Sequence, residues 1–387
     1  MRLAAIAALG AARPGFGDAG PYLFAAGEIA QHGRYPDRTE AYFFRAPGYP
    51  LFLAAATLGR PDRTALAKSE NAVLGAVAAL LLALLSARIF RRRAMAVATG
   101  LVAAVFPSLV VVSVGIQSEP LFLVLLLAAG LGLLAAADRS SLAAACGAGA
   151  ALGLAALTRP SALALAPLLA APAFDRSAPS RAGRRLAAGA VLSFLAVLAP
   201  WTVRNALRFH EFIPVSDAAG VSLYAGNSAW TRSFYAIRSR AEFARWLDAF
   251  DRDLKARLGR LEAAGETTPA RRSSGFARMA LAEARADPAG TLRLLGVKAW
   301  QWVKPYPTPW FWPPAVVVGI GLLYAALDVL AAHGLLRASR RGVAVACLAV
   351  LAVSMAAHVL LEVVWRYRVP YWDPILLLYG VAGAAPR

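Results

Sequence analysis

Residues 69–113 read SENAVLGAVAALLLALLSARIFRRRAMAVATGLVAAVFPSLVVVS, two apolar runs on either side of a basic turn that carries Arg88, Arg91, Arg92 and Arg93. Each run is close to the roughly 20 apolar residues that carry a helix across a bilayer. In hydrocarbon the backbone must satisfy its own hydrogen bonds, so runs of this length read as spanning α-helices. The pattern recurs, and spans are predicted at 69–88, 94–113, 119–137, 141–157, 186–203, 313–332, 342–361 and 370–385. The run 161–173 is shorter, bounded by Arg159-Pro160 and Asp175-Arg176, and is counted as one more span that pairs with its neighbour. The predicted fold class is an all-α polytopic membrane protein with about 9–10 transmembrane helices, a first outer loop and a larger outer segment.

Composition agrees. Of the 387 residues 59% are hydrophobic and only 16% are charged, too few for the polar coat of a soluble domain. The formal charge of +19 comes from 41 Lys+Arg against 22 Asp+Glu. Much of it sits in short loops between apolar runs, which fits topology and anionic lipid headgroups and argues against nucleic acid as a partner. Cys146 and Cys347 fall inside apolar runs, and the four histidines are scattered, so neither residue type offers a metal-ligand spacing or a disulfide framework.

Orientation follows from the short loops. Arg88 to Arg93 form one basic turn; Arg176, Arg181, Arg184 and Arg185 a second; Arg337, Arg340 and Arg341 a third; and Arg139 marks the tight turn at 138–140. Alternating spans put all four on one side, which the positive-inside rule makes cytoplasmic. Residues 13–68, 204–312 and the turn around 362–370 then fall outside. The long segment carries an amphipathic helix in which Phe243, Trp246, Leu247, Phe250, Leu254, Leu258 and Leu261 recur at helical spacing. The chain divides into a partial first helix (1–12), a first outer loop with juxtamembrane helices (13–68), a helix bundle (69–203), an outer segment (204–312) and C-terminal spans (313–387). Residues 3–12 are apolar but too few to cross, and read as the stub of a truncated first helix; the following loop lacks a signal-peptide cleavage pattern. No internal repeat or low-complexity tract is present.

Charges inside a span usually mark function, at roughly 2.5–3.5 kcal/mol each on insertion scales. Asp328 is the clearest such residue, and it reads as snorkelling or bonded to a neighbouring helix. Polar groups collect instead at the outer helix ends: Asp18, Arg45, Ser118-Glu119, Thr158-Arg159, Arg204-Asn205, and Glu362 with Arg366 and Arg368. Arginine forks suit a lipid phosphate, and a facing carboxylate can take a proton from an attacking hydroxyl. This distribution fits a reaction at the interface better than a transport path, which wants mid-membrane polar groups and broken helices.

These residues carry a resemblance. Asp18-Ala19-Gly20-Pro21-Tyr22, Gly33-Arg34-Tyr35 and Arg45-Ala46-Pro47-Gly48-Tyr49-Pro50 resemble the first loop of the bacterial branch of the glycosyltransferase C superfamily, which includes aminoarabinose and protein O-mannosyl transferases. Further similar segments follow in order: Ser118-Glu119-Pro120-Leu121-Phe122, Leu157-Thr158-Arg159-Pro160, Pro200-Trp201-Thr202-Val203-Arg204-Asn205, Gly226-Asn227 and Arg366-Tyr367-Arg368-Val369-Pro370. The resemblance implies an inverting membrane glycosyltransferase that uses a polyprenyl-phosphate sugar, with an acceptor glycan, lipid or protein and its site on the extracytoplasmic face of the cytoplasmic membrane. It implies Asp18 as catalytic base, Arg45, Tyr49, Arg159, Arg204, Arg366 and Arg368 as substrate-binding groups, and Glu119 as a second acid of the cavity. It requires no cofactor and leaves a divalent cation open. Many relatives carry two adjacent acids where this chain has Asp18-Ala19.

Structural readings compete at each position. Asp18 fits a helix cap, Pro47-Gly48-Tyr49-Pro50 a turn, Glu119 the favourable N-terminus of its own helix, and Arg159 and Arg204 interfacial anchors. Arg366 and Arg368, alternating in an extended turn, would share one face, with Glu362 in reach for an ion pair. Trp300, Trp302, Tyr306, Trp310, Phe311 and Trp312 read as an interfacial belt. The rival functions are a flippase of lipid-linked intermediates and an inactive lipid-binding relative.

Overall fold

The structure, a computed structural model, describes residues 2–9, 18–39, 42–57, 59–60, 63–174 and 180–385. Arg176 of the second basic turn and the predicted loop start at 13–17 lie outside the described residues. Every described element is helical. Short α1 (Arg2–Leu9) is followed by α2 (Ala19–His32) and α3 (Gly48–Ala56) of the first loop. Then come α4 (Thr64–Phe90), α5 (Arg93–Val105), α6 (Pro107–Ser113), α7 (Glu119–Arg139), α8 (Leu142–Thr158), a 3-10 helix (Pro160–Phe174) and α9 (Ser180–Phe209). The segment 204–312 contributes α10 (Ala218–Asn227), α11 (Ala229–Phe234), α12 (Arg240–Ala263), α13 (Pro269–Ala286) and α14 (Pro288–Val303). The chain ends with α15 (Pro314–Leu336), α16 (Arg341–Leu360), a 3-10 turn (Trp365–Arg368) and α17 (Val369–Ala384).

Five of the described helices, α4, α7, α9, α15 and α16, are long and apolar enough to cross a membrane. Leu101, Leu192, Leu322 and Val329 stand exposed on α5, α9 and α15, as lipid-facing side chains do. The chain is a multi-pass α-helical membrane protein. Two predicted spans differ from a straight α-helix. The run 94–113 bends by 54° between α5 and α6. Pro107 has no N–H to continue the ladder, and Phe106 before it is extended at ψ 126°. The run 161–173 is a 3-10 helix, in a stretch where Pro160, Pro167 and Pro172 each remove a donor from the α-helical ladder.

The two ends of the bundle differ in chemistry. At one end Asp138, closing α7, is ion-paired with Arg340, and Arg88 lies 4.0 Å from the same carboxylate. Arg340 also donates to the Arg88 carbonyl at 3.3 Å. Gly189 of α9 lies against Leu142 and Cys146 at the head of α8, so the basic start of α9 faces the same end. The α7–α8 turn is closed by Ser140 at φ +51° and by Ser141, whose side chain accepts from the Ala144 N–H at 3.3 Å. At the opposite end, Asn71 of α4 donates to the carbonyls of Gly115 and Gln117 at 2.7 and 3.0 Å, tying α4 to the α6–α7 connection. The first loop and the segment 204–312 also sit at this end, through Tyr49 on Asn71 and Phe44 on Asp217.

The segment 204–312 is packed on the bundle. Leu254, Leu258 and Leu261 of α12 are buried with Phe276 of α13 and Tyr224 of α10. The half-buried rings of Phe243, Trp246 and Phe250 pack at tilted angles against Trp230, Phe234 and Trp310. Trp302 corrects the belt reading: it is fully buried, in one core with Phe122 of α7 and Tyr371 of α17. Trp302, next to last in α14, faces inward, whereas Trp300 stands exposed.

The Pro47-Gly48-Tyr49-Pro50 segment starts α3 against the end of α8. A Cβ on Gly48 would lie 2.7 Å from Thr158 Oγ1 and 2.9 Å from the Leu157 carbonyl oxygen, closer than real side chains approach. Gly48→Ala is therefore expected to push α3 from α8 and destabilise the fold by about 1–3 kcal/mol, read as a lower unfolding midpoint in detergent.

Candidate active site

The site is assembled from four places in the chain. Asp18 stands at the N-cap position of α2 but makes no side-chain cap bond. Its carboxylate instead lies between two guanidiniums. Arg45 Nη2 donates to Oδ1 at 3.0 Å, and Arg366 Nη2 donates to Oδ2 in a short contact. Arg366 then reaches the Glu119 carboxylate with its Nε at 3.6 Å, and Arg159 Nη1 reaches the same oxygen at 3.0 Å. Arg159 also donates to Ser118 Oγ at 3.0 Å, and that hydroxyl is bonded to the Tyr22 hydroxyl at 3.1 Å. Arg45 closes the circuit, its guanidinium lying 4.9 Å from the Tyr22 ring centroid. Arg159 lies over the Tyr367 ring at 5.0 Å, and Arg366 at 5.4 Å.

Each cation is held by local structure. The Arg45 N–H donates to Thr39 Oγ1 at 2.8 Å, and its carbonyl accepts from the Tyr35 hydroxyl at 2.8 Å. The preceding Phe44 N–H donates to Asp217 Oδ1 at 2.9 Å, which ties the first loop to the head of α10. Arg159 follows the last turn of α8, where Pro160 ends the α-helix. Glu119 opens α7 beside Pro120, and its side chain is 2% exposed. A carboxylate that deeply buried must be paired, and Arg159 and Arg366 supply the charge.

Burial pushes the Asp18 carboxyl upward, but the charges of Arg366 and Arg45 outweigh it and hold the group at about 2. Glu362 shows the opposite balance. Burial and the Asp18 charge raise its carboxyl above the usual range against the pull of Arg366, Lys298 and Arg45. The expected Glu362–Arg366 ion pair is not formed, because Arg366 turns to Asp18 and Glu119 instead.

Arg366 and Arg368 do not share a face. Residues 365–368 form a 3-10 turn, in which i and i+2 point apart, rather than an extended strand. Arg368 is fully buried, donating to the carbonyls of Trp302 and Lys304 at 3.1 and 2.9 Å, with its guanidinium among the rings of Tyr324, Trp365 and Trp372. Arg204 is engaged elsewhere too: it donates to the Tyr35 carbonyl at 3.0 Å, lies 3.6 Å from Asp37 and covers the Trp201 ring. Tyr49 lies under the site, edge-on to Tyr22, its hydroxyl accepting from Asn71 Nδ2 at 2.8 Å. Asp328 accepts from Trp372 Nε1 at 3.1 Å. Sequence reasoning passed over Asp373, fully buried in α17 and bonded to Ser108 and Tyr324. It also passed over Lys298, whose only signal is a lone cation in the apolar stretch 294–303.

Residues 46–203 match a family model described as dolichyl-phosphate-mannose-protein mannosyltransferase. Glu119 and Arg159 lie within that stretch, and Arg45 immediately before it. Among solved structures, the archaeal oligosaccharyltransferase AglB from Archaeoglobus fulgidus, in complex with an inhibitory peptide and a dolichol-phosphate, is similar with a TM-score of 0.57 at 15% identity. The match covers 94% of this chain and 45% of AglB, so the chain spans less than half the length of that protein. ArnT from Cupriavidus metallidurans in the apo state is similar with a TM-score of 0.43 at 18% identity, over 98% of this chain and 76% of that one. No curated protein matches the chain in sequence.

The ion pairs give the site an acid limb. The folded Asp18 value of about 2 lies below the ordinary 3.8, so its stabilisation is complete above pH 4 and is lost as pH falls towards 2. The contribution is on the order of 2 kcal/mol. Unfolding midpoints between pH 6 and pH 2 should therefore fall more steeply in the parent than in Asp18→Asn. Residues 46–203 thus resemble the mannosyltransferase family model, and the helical fold of the chain is similar to that of AglB.

Proposed function

We propose that this chain is a membrane glycosyltransferase. It takes a sugar from a polyprenyl-phosphate carrier and passes it, with inversion, to an acceptor hydroxyl at the outer face of the cytoplasmic membrane. The observation that carries the reading is the carboxylate of Asp18 held between Arg45 and Arg366, beside the linked Glu119–Arg159 pair. An acid and a set of phosphate-binding forks in one cluster suit a reaction in which a proton and a phosphate leave together. The grouping of the basic turns at the other end of the bundle supports the outer-face location.

In the proposed step the acceptor hydroxyl gives its proton to Asp18 while its oxygen attacks the anomeric carbon. The bond from that carbon to the phosphate oxygen breaks, and the electron pair leaves on the carrier phosphate. Arg45, Arg366 and Arg159 neutralise the charge that develops there. Asp18 is a weak base while both arginines hold it. A carrier phosphate that draws those forks away relaxes the hold, so the base gains strength when donor is bound. Arg204 and Arg368, each committed elsewhere, have no part in this step.

The test uses protein in lipid vesicles, a panel of radiolabelled polyprenyl-phosphate sugars and membrane extract as acceptor. Free carrier should appear together with a new labelled product, and the productive donor names the sugar. Asp18→Asn should lower transfer about 100-fold or more while leaving carrier binding within a few-fold. Arg366→Ala should weaken both. Transfer by Asp18→Asn at the parent rate would remove the base assignment. Saturable carrier binding without turnover by the parent would favour the flippase or the inactive relative.

A further inference from the structure

The turn that carries Glu362 and Arg366 is fastened to the outer segment by cations running in both directions. Lys298 of α14 is fully buried. Its ammonium donates to the Leu361 carbonyl at 3.0 Å, the Gly226 carbonyl at 2.9 Å and Asn227 Oδ1 at 3.0 Å. An ammonium has three donors, and all three are used. Leu361 is the C-cap of α16, where the last carbonyls have no partner within the helix and the dipole favours a positive charge. Arg368, from the far side of the same turn, does the reciprocal job. It donates to the carbonyls of Trp302 and Lys304 at the C-terminal end of α14.

The third member is the Gly226-Asn227 pair that the sequence singles out and the proposed reaction leaves unused. Asn227 Nδ2 donates to the Leu360 carbonyl at 2.8 Å. A Cβ on Gly226 would collide with the Leu361 carbonyl and lie 3.0 Å from Glu362 Cα, so only glycine lets α10 approach the turn. Tyr235 adds a bond from its hydroxyl to the Val363 carbonyl at 3.1 Å. Residues 360–363 are thus gripped along their carbonyls, and the next helical turn delivers Arg366 to Asp18 and Glu119. Nothing in this grip touches the groups of the reaction itself.

We propose that Lys298 is a positioning residue that sets the 361–368 turn, and through it the reach of Arg366 into the site. Its consequence for catalysis rests on the glycosyltransferase reading; its consequence for geometry does not. The geometric arm replaces Cys146 and Cys347 by alanine and introduces the pair Asp18→Cys and Arg366→Cys. Cross-linking of that pair by a short bifunctional thiol reagent reports where the turn sits. Adding Lys298→Met should slow cross-linking about tenfold, and Lys298→Arg should restore part of it. Asn227→Ala, a milder loosening of the same grip, should slow it less, and gives the readout if Lys298→Met fails to fold. Unchanged cross-linking in Lys298→Met, or in Asn227→Ala where that variant stands in for it, overturns the proposal whatever the activity of the parent.

The functional arm measures binding of polyprenyl phosphate and the donor KM. Lys298→Met should raise the carrier Kd and the donor KM about tenfold with Arg366 present and change neither in an Arg366→Ala background, while its effect persists in Arg45→Ala. Equal losses in the two backgrounds would show a merely structural lysine and overturn the proposal. If the parent neither binds the carrier nor transfers sugar, the glycosyltransferase reading fails, and the cross-linking result still decides the role of Lys298.

Discussion

Arg366 stands between Asp18 in the first loop and Glu119 at the head of α7, and both carboxylates depend on it. The contact with Asp18 closes a loop of 348 residues, so the first and last parts of the described chain meet on one side chain. Exposed ion pairs are worth little, because water competes for both charges. This one is different in setting: Asp18 and Arg366 are about a quarter exposed and Glu119 is almost fully buried. Removing one member leaves another charge buried without compensation, which is far more damaging than the net value of the pair. The elements that meet here, α2, α7, the end of α8 and the turn before α17, are therefore fixed relative to each other by charge, while the lower bundle is fixed by packing of apolar faces.

Helices and their order were legible because hydrocarbon permits few alternatives. A run such as 69–88 in a chain this apolar has one economical structure, and basic turns such as Arg91-Arg92-Arg93 mark its ends. The candidate acids and arginines were legible for a related reason. A polar group at the end of a spanning helix has few partners, so Asp18, Arg45, Glu119, Arg159 and Arg366 stood out and the fold brings all five together. What sequence did not carry was the backbone geometry of short connections. Alternation predicts one face for Arg366 and Arg368, and a 3-10 turn separates them. Arg204 has the same residue type and the same kind of place, yet the extra length of α9 carries it to Tyr35 and Asp37. Lys298 was hidden because a lone lysine in an amphipathic segment ordinarily faces water; only the approach of α10 and α16 makes it a buried cap.

The segment 204–312 is tied to both sides of the site by this arrangement. By composition it is a polar insertion between spans, and its helices α12 and α13 are built on their own small core. Its contribution to the site comes through α10 and α14, which supply donors to carbonyls of the 360–363 stretch, while Asp217 at the head of α10 fixes Phe44 beside Arg45. Both arginines that flank Asp18 are thus oriented by the same segment from opposite sides. A shift of α10 would therefore move both forks at once.

Under the proposed reaction the charge of the cluster also discriminates between the stages. A carrier-linked sugar is a phosphodiester with one negative charge, and the departing carrier phosphate gains a second. Three guanidiniums against the two carboxylates they contact leave the cluster short of negative charge by one. Such a cluster attracts the donor modestly and the leaving group more strongly, and only that difference accelerates the step. The same asymmetry favours the product carrier, so release must draw on something that returns the forks to Asp18. The carboxylate itself is suited to this: protonated by the acceptor it competes poorly for the arginines, and once it sheds that proton it pulls them back. In the proposed cycle, proton loss from Asp18 and departure of the carrier would be one coupled event, ending in the ion pairs that Asp18 makes with Arg45 and Arg366.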